Sequence, residues 1–179
     1  MYAGSLAISI LNTKNETFVH SRVVVLLFLE RLMEILKRSC WHIMKTLGTG
    51  HREAVYHAAL ITALNKARVF HRSETVCAIS YLGETVGYGK ADLILDDIVV
   101  ELKATSRPPT ESSGQLKKYI ESLTRTEKRP FRGVIVNFNQ RTAKVDIWQS
   151  AYTEQGVKPH STKMIRSRFF PGTSKLLPQ

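Results

Sequence analysis

Cysteine is nearly absent. Cys40 and Cys77 are the only two in 179 residues, and neither has a Cys-x-x-Cys partner. That spacing suggests neither a disulfide framework nor a zinc site; the expectation is two free thiols in a reducing compartment. Long apolar runs are missing too. The longest, Val23–Leu29, has seven residues, where a membrane-spanning helix needs roughly 20. No basic stretch leads into an apolar one at the N-terminus, so a secretory signal is not expected. The chain is expected to be intracellular, in cytoplasm or nucleus, and the sequon Asn15-Glu16-Thr17 then carries no weight. Acid is scarce: 15 Asp and Glu stand against 26 Lys and Arg, for a net charge of +11 and a pI near 9.9. That balance favours a polyanionic partner, nucleic acid before an anionic membrane. For a membrane, Phe169-Phe170 within the basic stretch 158–175 is the sole apolar anchor, so no membrane partner is expected. Phosphate-cradling loops and nucleophile elbows are also missing: Gly48-Thr49-Gly50 is not followed by Lys-Ser/Thr. The six histidines are scattered and read as surface or structural.

What is present is ordinary globular material, 43% hydrophobic and about one domain long. Residues 22–46 carry apolar side chains at three- and four-residue spacing and predict a helix, ended by Gly48 and Gly50. A second helix is predicted over about His51–Ala67, with Thr49 as a candidate cap. Thr75–Leu82, Val86–Leu95 and Ile98–Ala104 read as strands, with turns at Gly83-Glu84 and Asp96-Asp97. Ser112–Leu123 predicts a helix capped by Thr110 or Ser112; Gly133–Phe138 and Ala143–Trp148 predict further strands. Ala7–Leu11 reads as a short strand or extended arm, and from about Ser150 the pattern fades into a basic tail. A hairpin apolar on both faces needs layers above and below it, so the fold class is α/β.

The hairpin also carries the candidate chemistry. A two-residue turn at Asp96-Asp97 pairs Leu95 with Ile98, Ile94 with Val99 and Asp92 with Glu101, and alternation puts Lys103 on the face of Glu101. Leu93, Leu95, Ile98, Val100 and Leu102 fall on the opposite face. Two carboxylates on adjacent strands can hold a hard cation such as Mg²⁺, with the Leu102 carbonyl as an additional ligand. Such an ion binds a phosphate oxygen and acidifies bound water, and a lysine beside it can orient or deprotonate that water. The same three residues are equally readable as a cross-strand salt-bridge cluster. Glu53 shares a helix face with Gly50 and Tyr56 in this reading, and is either a further metal ligand or an exposed glutamate near a helix N-terminus. Gln115 and Tyr119, four apart, either hold phosphate and water or form a plain amphipathic surface.

Taken in order, Gly50-x-x-Glu53-x-x-Tyr56, Asp92…Glu101-x-Lys103, Gln115-x-x-x-Tyr119 and the strand Gly133–Phe138 resemble the GxxExxY family, a branch of the PD-(D/E)xK nuclease superfamily. The resemblance runs from about Glu30 to Trp148, with Ala91-Asp92 standing for the usual Pro-Asp. It implies a restriction-endonuclease-like core of helix, three strands, helix and strand in residues 30–149, flanked by an arm (1–29) and a basic tail (150–179). It implies Mg²⁺ or Mn²⁺ on Asp92 and Glu101, joined by Glu53, with Lys103 as catalytic lysine and Gln115 and Tyr119 in support. The implied activity is metal-dependent hydrolysis of phosphodiester bonds, in DNA first. The other reading is a silent nuclease fold that binds nucleic acid, as a homodimer or as a component of a larger assembly.

Overall fold

The computed structural model describes residues 27–108 and 112–149, together with the backbone of 165–167. The chain divides into two compact units, Met1–Leu36 and Lys37–Gln179. Of the first unit only the helical residues 27–36 are described, with Leu29, Leu32 and Leu36 buried. The helix, α1, spans residues 27–47 and buries Cys40, Ile43 and Met44 in its second half. It stops where expected. Gly48 and Gly50 both take positive φ, 69° and 94°, and the Gly48 N–H bonds back to Met44 O at 2.9 Å.

Helix α2 follows at Glu53–Lys66, then strands β1 (Arg72–Tyr81), β2 (Glu84–Leu95) and β3 (Ile98–Lys103). Helix α3 (Ser112–Glu127) crosses over to β4 (Arg132–Asn139), and β5 (Lys144–Gln149) and β6 (Ile165–Ser167) complete the sheet. The six strands lie in sequence order. β1–β2–β3 and β4–β5–β6 pair antiparallel, and β3–β4, joined through α3, pair parallel. This is the helix, three strands, helix, strand order read from the sequence. Among the described residues no helix is long and apolar enough to cross a membrane.

Several local expectations shift. Thr49 does not cap α2: the N-cap is Arg52, in extended conformation and without a side-chain cap bond. The first hairpin turns one residue earlier, at Leu82-Gly83, both at positive φ, a turn that keeps the strands twisting together. Helix α3 runs one turn beyond Leu123, to Glu127. Ser112 is its first helical residue, while Thr110 lies outside the described residues, as do Ala7–Leu11 and most of the tail. The exception in the tail is β6, where three residues add an edge strand to β5.

The sheet is covered on both faces. On one, Leu116, Tyr119, Ile120 and Leu123 of α3 pack with Ile94, Val99 and Ile135. On the other, Tyr56 of α2 stacks on Phe138 of β4, with ring centroids 4.4 Å apart. Alternation along β3 follows the predicted split, with Val99 facing α3 and Ile98, Val100 and Leu102 buried outside that cluster. The double covering is why the hairpin strands are apolar on both faces.

Candidate active site

The β2–β3 hairpin has two unlike ends. At the turn, the expected register holds: Leu95 faces Ile98, Ile94 faces Val99 and Leu93 faces Val100. Asp96 takes φ 52°, a left-handed conformation that aspartate tolerates. The predicted Asp92–Glu101 rung does not form, because the ladder stops at Leu93–Val100. Instead the Asp92 carboxylate itself reaches across, and its Oδ2 accepts the Leu102 N–H at 2.7 Å. The Leu102 carbonyl points to the same side of β3 as that N–H, by strand alternation. A side chain therefore replaces a backbone rung where β2 and β3 part.

The cause is written in β2 and its outer neighbour. Ala91 and Ile94 both join the cluster under α3, although they stand three residues apart. Strict alternation would put them on opposite faces. On β1, Glu74 sits at φ 48°, and no Glu74–Asp92 pair appears in the register. The register is the same on either side, Ser73 with Leu93 and Thr75 with Ala91, so β2 twists at Asp92 without an inserted residue. His57 of α2 secures the distortion: its Nε2 lies 3.0 Å from Asp92 O. The sequence gives no periodic signal for His57, and only the packing of α2 reveals it.

Glu101 and Lys103 meet as alternation requires. Lys103 Nζ donates to Glu101 Oε1 at 2.8 Å and, more weakly, to Glu53 Oε1 at 3.5 Å. Glu101 is 1% exposed, and its second oxygen, Oε2, is buried with no hydrogen-bond partner. Burial pushes the Glu101 carboxyl up to about 7; the Lys103 hydrogen bond opposes the shift, and the charges of Asp92 and Glu53 add to it. The Lys103 ammonium titrates above its usual range. Its own burial opposes that shift, and the bond to Glu101 and the surrounding carboxylates outweigh it.

The helices contribute unequally. Glu53 opens α2 and points its partly exposed carboxylate at Lys103. Gly50 and Tyr56 do not share its face. Gly50 precedes the helix, and Tyr56 is fully buried. Gln140, also invisible to the sequence reading, ties those two together: its Oε1 accepts the Gly50 N–H at 2.7 Å and its Nε2 donates to the Tyr56 hydroxyl at 3.2 Å. Tyr56 in turn donates to Gly48 O at 2.8 Å. Glycine and tyrosine thus fix the approach to α2, and Glu53 is left to face the carboxylates. On α3, Gln115 Nε2 donates to the Tyr119 hydroxyl at 2.7 Å, so that pair does share a face. The Tyr119 ring covers Gly89 so closely that a Cβ there would lie 2.6 Å from Cε1. Gly89 is three residues from Asp92, about 10 Å along the strand. At the end of β3, buried Asn137 accepts the Thr105 N–H at 2.9 Å and donates to Thr105 O at 3.2 Å, fixing the exit of the chain from Lys103.

Among the described residues no three His, Cys, Asp or Glu side chains are grouped closely enough to hold a metal ion as they stand. An ammonium occupies the middle of the group instead. The donors nevertheless suit a hard divalent cation: they are carboxylate and carbonyl oxygens, and one of them, Glu101 Oε2, is buried and unsatisfied.

A family model described as the PD-(D/E)XK nuclease superfamily matches residues 30–149. The chain belongs to that superfamily. Its members are generally nucleases, typically use divalent metal ions and act on nucleic acid. No curated protein and no solved structure matches the chain significantly. The α/β architecture agrees with a restriction-endonuclease-like superfamily member. Within it, the parted end of the hairpin carries Asp92, Glu101 and Lys103.

Proposed function

We propose that this superfamily member is a divalent-metal-dependent deoxyribonuclease of the GxxExxY type, working inside the cell with Mg²⁺ or Mn²⁺. The observation that carries the reading is the unsatisfied Glu101 Oε2, buried beside the charges of Asp92 and Glu53 with one lysine to offset them. An orphaned buried carboxylate oxygen costs about 1–3 kcal/mol or more, and a cation bound there removes the cost. Asp92, Glu101 and the Leu102 carbonyl would hold the ion, with Glu53 as a further carboxylate. A divalent ion in this position supplies positive charge to a phosphate oxygen and lowers the pKa of a water. Lys103, tethered to Glu101, orients the attacking water and offsets developing charge. Gln115 and Tyr119 orient phosphate. The Leu102 N–H holds Asp92 in place before any ion arrives. Residues 30–149 form the nuclease domain in this reading, with 1–29 and 150–179 as arms that grip nucleic acid or a second copy.

The test is cleavage of single- and double-stranded DNA in Mg²⁺, Mn²⁺ and EDTA. Expected is metal-dependent cutting that Asp92→Ala and Lys103→Ala abolish; variants that cut as well as the wild type remove the site assignment. One observation favours a second reading, a nuclease fold kept only for binding: the Lys103 ammonium sits where a cation would be useful. Salt-sensitive DNA binding without cleavage in either metal selects it.

A further inference from the structure

Beyond the catalytic patch, α3 and the outer half of the β1–β2 hairpin enclose a groove of about 620 Å³. Ile79, Tyr81 and Val86 line its sheet side, and Lys118, Glu121 and Arg125 its helix side. The hairpin is shaped for this. Its register shifts between Ile79 and Ser80: Ile79 faces Gly87 and Ser80 faces Thr85, so Val86 is an extra residue. Such a bulge bends a ribbon and adds twist. Tyr81 and Val86 stay 68% and 63% exposed, large apolar surfaces with no covering element among the described residues. On α3, Lys118, Glu121 and Arg125 stand at intervals of three and four, on one face with Gln115. Glu121 pairs with Lys117 at 3.8 Å, and Lys118 and Arg125 flank it, so cations outnumber the acid on this side of the helix. One turn toward the start of α3, the same face reaches Gln115, bonded to the Tyr119 that covers Gly89 of β2. The groove and the strand that bears Asp92 thus border the same helix, with Gln115 and Tyr119 between them.

We propose that this groove holds a single strand of nucleic acid leading away from the catalytic patch, with a base stacked on Tyr81 and phosphates held by Lys118 and Arg125. Exposed aromatic surface facing two cations is the pattern of sequence-tolerant single-strand binding. The volume is that of a small-ligand cleft, which accepts individual nucleotides and not the width of a duplex. The inference rests on the nuclease reading and deepens it: the substrate is single-stranded or frayed at its end.

The test is fluorescence anisotropy of the full chain with a labelled oligothymidine of about ten nucleotides, within the usual site size for such grooves. EDTA prevents cleavage, and a blunt duplex serves as the comparison. Tyr81→Ala is expected to weaken strand binding about tenfold, and Tyr81→Phe by less than about twofold, because the ring does the stacking. Lys118→Ala and Arg125→Ala are each expected to reduce the slope of log affinity against log salt by about 0.7. All these positions are exposed, and thermal melting checks that each variant folds. Tyr81→Ala binding the strand as tightly as wild type overturns the proposal, as does an equal loss for strand and duplex. If the wild type cuts DNA and the groove variants bind unchanged, the groove fails and the nuclease stands. If strands bind through Tyr81 and no metal supports cutting, the nuclease fails and the groove stands.

Discussion

The two ends of the β2–β3 hairpin hold similar charges and treat them in opposite ways. At the turn, Asp96 meets Arg129 at 3.2 Å and Asp97 meets Arg132 at 3.0 Å, and both acids are partly open to water. Glu127, at the end of α3, is held by Arg72 at 2.7 Å and Arg129 at 3.0 Å. Three carboxylates there have three guanidiniums. At the parted end, Glu101 and Glu53 share Lys103, the Asp92 carboxylate has the Leu102 N–H, and one buried oxygen has no partner. A structural end matches each acid with a base. In the proposed function, an end that leaves acids unmatched, in a chain with so many cations to spare, receives a charge that arrives from outside. Arg72 makes the same point from the other side: it is committed to Glu127.

Substitutions at the two ends should differ in size of effect. The largest effect belongs to the parted end. Asp92→Ala and Lys103→Ala are each expected to reduce DNA cleavage by two to four orders of magnitude, about what loss of a general acid–base or charge-stabilising group causes. Steady-state rates in Mn²⁺ check this, with circular dichroism to confirm folding.

The next effect is of pH on the metal-free protein. Glu101 has a folded pKa raised to about 7 from 4.5, first by burial, so the native state holds a proton that the unfolded chain releases. Stability is therefore lost as pH rises from about 4.5 to about 7, by an amount on the order of 3 kcal/mol. Glu127 runs the other way. Partial burial opposes the shift, but the bonds from Arg72 and Arg129 outweigh it and hold its carboxyl below the usual range. Its contribution is present above the unfolded value and fades as pH falls through the folded one. Melting curves in EDTA should separate the two: Glu101→Gln removes the loss between pH 4.5 and 7, and Glu127→Gln removes the one at lower pH. A wild type whose stability is flat from pH 4.5 to 7 would contradict the buried, uncompensated Glu101.

A smaller effect tests how the α3 pair is seated. Gly89→Ala puts a methyl group 2.6 Å from the Tyr119 ring and is expected to destabilise the fold by about 1–3 kcal/mol. Gly133→Ala meets Leu116 Cδ2 at 2.7 Å, Ile120 Cδ1 at 2.8 Å and Leu116 Cγ at 3.0 Å, rotatable aliphatic chains in place of a rigid ring, so it should cost less. Urea midpoints of the two variants rank them. The smallest effect lies back at the turn. Arg129→Ala removes two surface ion pairs, worth under about 1 kcal/mol together, and should leave cleavage unchanged.

Much of this was legible in the sequence because it is local. The two-residue turn fixes the register from Leu95 to Val100, and alternation then puts Glu101 and Lys103 on one side. Helical spacing joins Gln115 to Tyr119. The glycine pair ends α1 because left-handed backbone is open to glycine. Where the reading failed, a longer-range contact overrode a local rule. Alternation predicts an Asp92–Glu101 rung, but β2 twists beside the left-handed Glu74 of β1 and Asp92 bonds the Leu102 N–H instead. Spacing by three puts Gly50 and Tyr56 beside Glu53, but the helix starts at Glu53 and the aromatic ring goes under the sheet, onto Phe138.

Local patterning along the chain thus determined the elements from α1 to β5, their order and the shared side of Glu101 and Lys103, since these follow from periods of two and 3.6 and from turn chemistry. Tertiary structure alone decided which acid is orphaned. Burial and the geometry of Lys103 together leave Glu101 Oε2 without a partner, and no spacing along a chain encodes which lone pair water can still reach.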